Sequence, residues 1–361
     1  MKMMPLSRRR LSALLLGSAA LAIAMLGPNP ARAETASVNQ GIAQGAGNTP
    51  LAVTLVLPSG QQPPEKGWPA LLLIQGSGPT DRDGNQPPQL RTDLLRQIAE
   101  HLAAQGIATL RYDKRGMHAN NASLPTDAAA YADFFRWENF VGDATAVFRF
   151  LTDHPGVDAQ RTGILGHSEG GLIALAAAEQ LHQTGNVVPA ALVLAATPGR
   201  KLDAVITSQL ERLLAEQQAP ANQSRALLNA NKRIMETIVA NGQVPGDVPR
   251  GLVPLYPHYA GGFLQSLFRL DPAALARDYR GPVLVLQGQA DNQVSPERDA
   301  PTLDNALADR GGAKHTLRIF PQLSHNFKVS SQEPETDIAG PVGEEMLRAL
   351  TEWLRPNLAI K

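Results

Sequence analysis

Thr162-Gly163-Ile164-Leu165-Gly166-His167-Ser168-Glu169-Gly170-Gly171-Leu172 is the stretch that decides how this chain is read. Four residues of strand character run into Gly166-His167-Ser168-Glu169-Gly170, a G-x-S-x-G pattern, and a strongly apolar helical run from Leu172 to Leu181 follows at once. In a chain with 31 glycines the pattern alone is weak, and its setting between strand and helix makes it specific. Such a sharp strand-to-helix turn brings backbone and neighbouring elements too close for a Cβ, so glycines flank it. The turn lifts Ser168 Oγ above a sheet, over a helix N-terminus that favours developing negative charge. Ser168 is the candidate nucleophile.

Apolar runs and helical stripes alternate on both sides of this turn. Leu51 to Leu57, Ala70 to Ile74 and Ile107 to Tyr112 read as strands before it; Ala190 to Ala196, Val283 to Gln287 and Thr316 to Phe320 read as strands after it. Helical periodicity covers Leu90 to Ala104, Phe140 to Leu151 and Val342 to Leu354. The alternation predicts an α/β fold with a mostly parallel central sheet flanked by helices. Residues 34–50, polar and rich in Gly, Asn and Gln, read as a leader or a loose first strand. Residues 201–280 carry no clear strand but two amphipathic stripes, through Leu202, Val205, Ile206, Leu210, Leu213 and Leu214, and through Leu227, Leu228, Met235, Ile238 and Val239. They predict a helical cap inserted into a single domain spanning residues 51–361.

A nucleophilic serine needs a base, and the base needs an orienting acid. On a sheet of this kind the chain order is Ser, acid, His, each just after a strand. Gly288-Gln289-Ala290-Asp291 follows one predicted strand and Pro321-Gln322-Leu323-Ser324-His325 follows another, which makes Asp291 the acid and His325 the base. His167 precedes the acid, and Glu297 and Asp299 lie beyond Pro296, where they read as surface charges of a starting helix. Acyl transfer also needs hydrogen-bond donors for the oxyanion. The backbone N–H of Glu169 is one candidate, and the loop Gln75-Gly76-Ser77-Gly78-Pro79 supplies the other, from Ser77 or, second, from Gly76.

Composition removes other classes. With no Cys there is no disulfide scaffold and no thiolate metal site, and 43% hydrophobic residues exclude a disordered chain. Asp81-Arg82-Asp83-Gly84-Asn85 begins like a calcium loop, but Gln86 stands where the loop needs Gly and Thr92 where it needs Glu. No metal and no cofactor are expected. Residues 1–33 hold five basic residues and no acid; without them the balance is 28 basic to 33 acidic, which offers no general attraction to nucleic acid. Arg8-Arg9-Arg10, the apolar Leu11 to Leu26 and Ala31-Arg32-Ala33 together read as a cleaved signal peptide, either twin-arginine or ordinary. The expected location is periplasmic or secreted, with no membrane anchor after cleavage. Oligomeric state is not legible.

Taken with Gly76-Ser77-Gly78-Pro79-Thr80-Asp81-Arg82-Asp83-Gly84, Arg111-Tyr112-Asp113-Lys114-Arg115-Gly116 and Gly288-Gln289-Ala290-Asp291, the serine motif resembles the α/β-hydrolase superfamily. Within it the chain is similar to bacterial dienelactone-hydrolase-like and serine-aminopeptidase-like proteins, over roughly residues 51–355. Many such proteins carry His-Gly where this chain has Gln75-Gly76, a change that leaves the backbone donor in place. The resemblance implies that residues 112–116 form a tight turn near the site, with Asp113 and Arg115 in structural ion pairs. It further implies a serine hydrolase, read here as cleaving a carboxylic ester, and the Leu, Ile, Val and Met stripes of the cap point to a small to medium, moderately apolar substrate. The alternative is an aminopeptidase for short peptides, with Asp203, Glu211, Glu216 or Glu236 of the cap holding the free amine.

Overall fold

Trp68–Ile74 is a run of seven buried, almost wholly apolar residues. Such a run fits a strand covered on both faces, and in the computed structural model, which describes residues 36–117, 124–185, 187–330 and 336–360, it lies inside an eight-stranded sheet. The strands are β1 (Ala36–Gln44), β2 (Pro50–Pro58), β3 (Trp68–Ile74), β4 (Ala108–Tyr112), β5 (Val157–His167), β6 (Leu192–Ala195), β7 (Val283–Gly288) and β8 (His315–Phe320). Their order is β1-β2-β4-β3-β5-β6-β7-β8. β1 and β2 run antiparallel to their neighbours, and β4 through β8 with β3 are parallel.

Helices close both faces. α1 (Leu94–Ala104) buries Leu94, Leu95, Ile98, Ala99, Leu102 and Ala103 as one stripe; each fully buried Leu or Ile contributes about 1.5–3 kcal/mol. On its face of the sheet lies α11 (Glu344–Asn357), burying Met346, Leu350 and Leu354. The opposite face carries α3 (Trp137–Thr152) and α4 (Glu169–Gln183), with α2 (Ala128–Phe134) leading into α3. α9 (Asp299–Ala308) packs on β7 and β8, and α10 (Thr336–Ala339) is a single turn.

Of the two readings of residues 34–50, leader or first strand, the described residues take the second. β1 pairs with β2 along its whole length, from Ala36 opposite Pro58 to Gln44 opposite Pro50. Most of β1 is exposed, so as an edge strand it carries no apolar alternation. The helix expected from Leu90 starts four residues later, because Leu90 pairs with Gln86 and the Asn85 side chain holds the N–H groups of Thr92 and Asp93. Asp81 Oδ1 accepts from the N–H groups of Asp83 and Asn85, so this acid closes a turn.

Between β6 and β7 lie α5 (Leu202–Glu216), α6 (Ala221–Asn241), α7 (Gly261–Arg269) and α8 (Pro272–Asp278). Leu210, Leu214, Ile234, Ile238, Leu252 and Phe268 bury one another in a cluster separate from the two sheet-face cores. Residues near 276–279 belong to the sheet core, since Ala276 and Tyr279 pack there and Tyr279 Oη donates to Pro189 C=O at 2.7 Å. The insertion is tied down where it leaves β6. Asp299, fully buried, accepts from the N–H groups of Gly199, Arg200 and Ser295 and pairs with the Arg200 guanidinium at 2.8 Å. This corrects the reading of Asp299 as a surface charge.

Candidate active site

The C-terminal ends of β3, β5, β7 and β8 bring the candidate residues together. β5 ends at His167 and α4 begins at Glu169, so Ser168 alone makes the turn, with φ 56° and ψ −124°. A non-glycine residue there costs about 1–3 kcal/mol and persists only where the surroundings enforce it. The enforcement is contact density: a Cβ on Gly166 would stand 2.1 Å from Gly170 C=O oxygen, and one on Gly170 would stand 2.4 Å from the Ile74 oxygen. Helix α4 therefore starts tight against the ends of β5 and β3.

Asp291 and His325 meet, with His325 Nδ1 lying 2.8 Å from Asp291 Oδ2. Asp291 is held on all sides: Oδ2 also accepts from Gln287 Nε2 at 2.9 Å, and Oδ1 accepts from the N–H groups of Gln293 and Val294. Burial alone would raise this acid, but the His325 charge and hydrogen bond, with the two backbone donors, bring it below the ordinary carboxylate value. The arrangement makes Nδ1 the donor and leaves Nε2 of a neutral ring as an acceptor. Ser168 Oγ makes no hydrogen bond among the described residues, so the serine and the imidazole are not joined directly. Such bonds commonly tighten only with substrate.

Sequence reasoning passed over His167. Its Nε2 lies 2.9 Å from the His325 C=O oxygen, which can only accept, so Nε2 carries the proton. The two rings lie 4.8 Å apart. Burial first, then the neighbouring His325, lowers the His167 pKa to about 3, so it stays neutral at ordinary pH. Its position inside the serine motif was the available signal. Gln287, which braces Asp291, is the last residue of the predicted strand and carried none.

The oxyanion candidates sit beside the serine. A Cβ built on Gly76 would lie 3.2 Å from Ser168 Cβ. Gln75, where similar proteins have His, is fully buried and donates to Tyr112 C=O at 2.8 Å, tying this loop to the end of β4. Among the described residues, no acceptor takes the N–H of Ser77 or of Glu169. Asp113 and Arg115 are both in ion pairs, with the half-buried Arg82 at 2.7 Å and with the buried Asp143 at 2.6 Å. Of the four acids considered for a free amine, Glu216 pairs with Arg212 and Glu236 faces Lys232. Glu211 lines an open cleft of about 570 Å³ shared with Asp291 and Asn292.

Known proteins fit this arrangement. The chain is 26% identical over 306 residues to esterase EstD of Thermotoga maritima, an alignment that takes in 83% of this chain and 64% of that esterase. The chain thus spans a little under two thirds of that relative's length. Among solved structures it is similar to a puromycin-hydrolyzing peptidase of Mycobacterium tuberculosis (TM-score 0.58, 18% identity, 93% of this chain, 42% of that one). It is also similar to Est1E of Butyrivibrio proteoclasticus (TM-score 0.52, 15% identity, 89% of this chain, 99% of that one). These likenesses show an α/β-hydrolase fold. The family profile described as serine aminopeptidase, S33, matches residues 92–329, from the start of α1 to past His325. With that span matched, the chain belongs to the serine aminopeptidase S33 family of α/β-hydrolases.

Proposed function

We propose that the protein is a serine hydrolase cleaving carboxylic esters through an acyl-enzyme. The observation that carries this reading is the 2.8 Å Asp291–His325 pair on neighbouring strand-end loops, beside a serine held at φ 56° between strand and helix. Ser168 Oγ attacks the ester carbonyl while His325 Nε2 takes its proton. Asp291 holds the imidazole in the required tautomer and stabilises the imidazolium. The tetrahedral oxyanion is received by the N–H groups of Ser77 and Glu169, the ester C–O bond breaks, and His325 returns the proton to the departing alkoxide. Water, deprotonated by His325, then releases the acid and restores Ser168.

Ester preference rests on the similarity to esterase EstD and on the apolar stripes of the insertion. In this reading residues 201–280 roof the substrate pocket as a cap, and the substrate is a small to medium, moderately apolar ester. Residues 1–33 lie outside the described residues; their basic, apolar and Ala-x-Ala segments support export to the periplasm or medium. No described helix is long and apolar enough to cross a membrane.

Glu211 favours a second reading. Its place on the cleft beside Asn292 suits a carboxylate that holds the free amine of a short peptide, as an aminopeptidase requires. A chromogenic panel tests both: p-nitrophenyl esters of increasing chain length, a hydroxycinnamoyl ester and alanyl or prolyl anilides, with Ser168→Ala as control. Ester turnover that vanishes in the control is the expected result. Anilide cleavage ten-fold faster than ester cleavage would overturn it in favour of the peptidase.

A further inference from the structure

Lys114 is a lysine with almost no exposure, and it touches both segments that present the oxyanion donors. Its Nζ donates to Gly76 C=O at 2.7 Å and to Glu169 Oε1 at 2.8 Å, with side-chain exposures of 4% for Lys114 and 9% for Glu169. The ammonium also stands 5.4 Å from the centre of the Phe140 ring. The Gly76 carbonyl and the Ser77 N–H belong to one peptide group, and Glu169 supplies the other donor from its own backbone. One cation therefore holds the carbonyl side of the first peptide and the side chain of the residue that supplies the second donor.

We propose that Lys114 is a positioning residue that sets the oxyanion hole by clamping the Gly76–Ser77 peptide to Glu169. The proposal rests on the assignment of Ser77 and Glu169 as oxyanion donors. A trans peptide is planar, and its C=O and N–H point in opposite directions. A cation fixed on the Gly76 oxygen thus turns the Ser77 N–H to the opposite side, and its pull on the carbonyl makes that N–H a stronger donor. The second effect is electrostatic. Glu169 follows the nucleophile directly, and an unpaired carboxylate there would oppose the negative charge that forms on the substrate oxygen. Lys114 cancels it at close range, in surroundings where charges are poorly screened.

The platform for this cation is rigid. Lys114 lies between Asp113, which accepts the Arg82 guanidinium through both carboxylate oxygens, and Arg115, which donates to both oxygens of Asp143. Gln75 Nε2, bonded to Tyr112 C=O, ties the residue before Gly76 to the same turn. Neither flanking pair touches the serine, and both hold the residue that touches its surroundings.

The test uses two variants, Lys114→Met and the double variant Lys114→Met/Glu169→Gln. The second removes both charges, so it folds even where the first leaves Glu169 buried without its cation. The primary readout is the rate of Ser168 phosphonylation by a fluorophosphonate, whose P=O oxygen occupies the oxyanion hole whatever the natural substrate is. Ester kcat and KM and the thermal midpoint are measured alongside. Losing one oxyanion donor costs about 10²–10³ in kcat. Both variants are therefore expected to label roughly 30- to 300-fold more slowly, with kcat reduced in parallel and KM within about threefold. A folded double variant that labels within threefold of wild type overturns the clamp, as does a loss confined to KM. Wild-type protein that labels but cleaves no ester removes the ester reading, while its labelling rates still judge the clamp. Failure of wild-type Ser168 to label at all removes both.

Discussion

Asp291 and His325 stand 34 residues apart in the chain and 2.8 Å apart in space, and the carboxylate that meets the imidazole has each of its oxygens bonded twice. The Gln293 and Val294 N–H groups and the Gln287 amide leave it one orientation. His325 is fixed from behind as well, through the bond between its C=O and His167 Nε2. The pair is thus held in position before any substrate arrives.

Asp291→Asn keeps the shape of that acceptor but removes its charge. The amide can present N–H to the ring, which favours the tautomer that cannot take the serine proton. Ester kcat is expected to fall by about 10³–10⁴-fold, with the thermal midpoint little changed. Steady-state kinetics and a melting curve on the same preparation check both halves.

His167 makes the protein sensitive to acid. Its native pKa of about 3 lies below the ordinary value of 6.5, so the unfolded chain binds a proton that the native state refuses. The contribution is intact above pH 6.5 and is lost as pH falls from there toward 3, at up to about 1.4 kcal/mol per pH unit. Asp291, lowered below 3.8, acts in the same direction at the acid end of that window. Urea midpoints measured from pH 7 to pH 4 should fall steadily in wild type and less steeply in His167→Gln.

Gly166→Ala tests the close approach at the turn. A methyl group would meet the Gly170 oxygen at 2.1 Å, and that atom belongs to helix backbone that cannot swing aside. Destabilisation of about 3 kcal/mol or more is expected, at the upper end of overpacking costs. Denaturant unfolding measures it, and a loss below about 1 kcal/mol would show that the start of α4 can shift.

Asp299→Ala removes the acceptor of Arg200 and of three backbone N–H groups at the entry to the insertion. Breaking a buried pair from one side costs about 3–5 kcal/mol. The strain falls where chain leaves β6 for α5, so limited proteolysis should cut near residues 200–220 sooner than in wild type. An unchanged cleavage pattern would mean that the insertion is held chiefly by its apolar contacts.

The alternation of strands and helices, the turn at Ser168 and the strand-end loops bearing Asp291 and His325 were legible because their signals are local. Buried strands such as Ala70 to Ile74 announce themselves as unbroken apolar runs, the turn at Ser168 demands glycines within a few residues, and Asp291 and His325 each follow a strand directly. β1 was left open between leader and strand because an exposed edge strand needs only backbone partners and imposes no pattern on its side chains. Asp299, eight residues after Asp291 and beyond Pro296, read as a surface charge because nothing local announces that it meets Arg200, 99 residues away. Lys114 shows the same division. Its motif marks a tight turn, but its partners are Gly76 and Glu169, 38 and 55 residues away. Short-range periodicity and backbone sterics fix the elements and the loops that bear Ser168, Asp291 and His325, and these can be read along the chain. Which charge meets which is settled by packing alone, because a buried charge is defined by whatever the folded chain sets within 3 Å of it, at any separation in sequence.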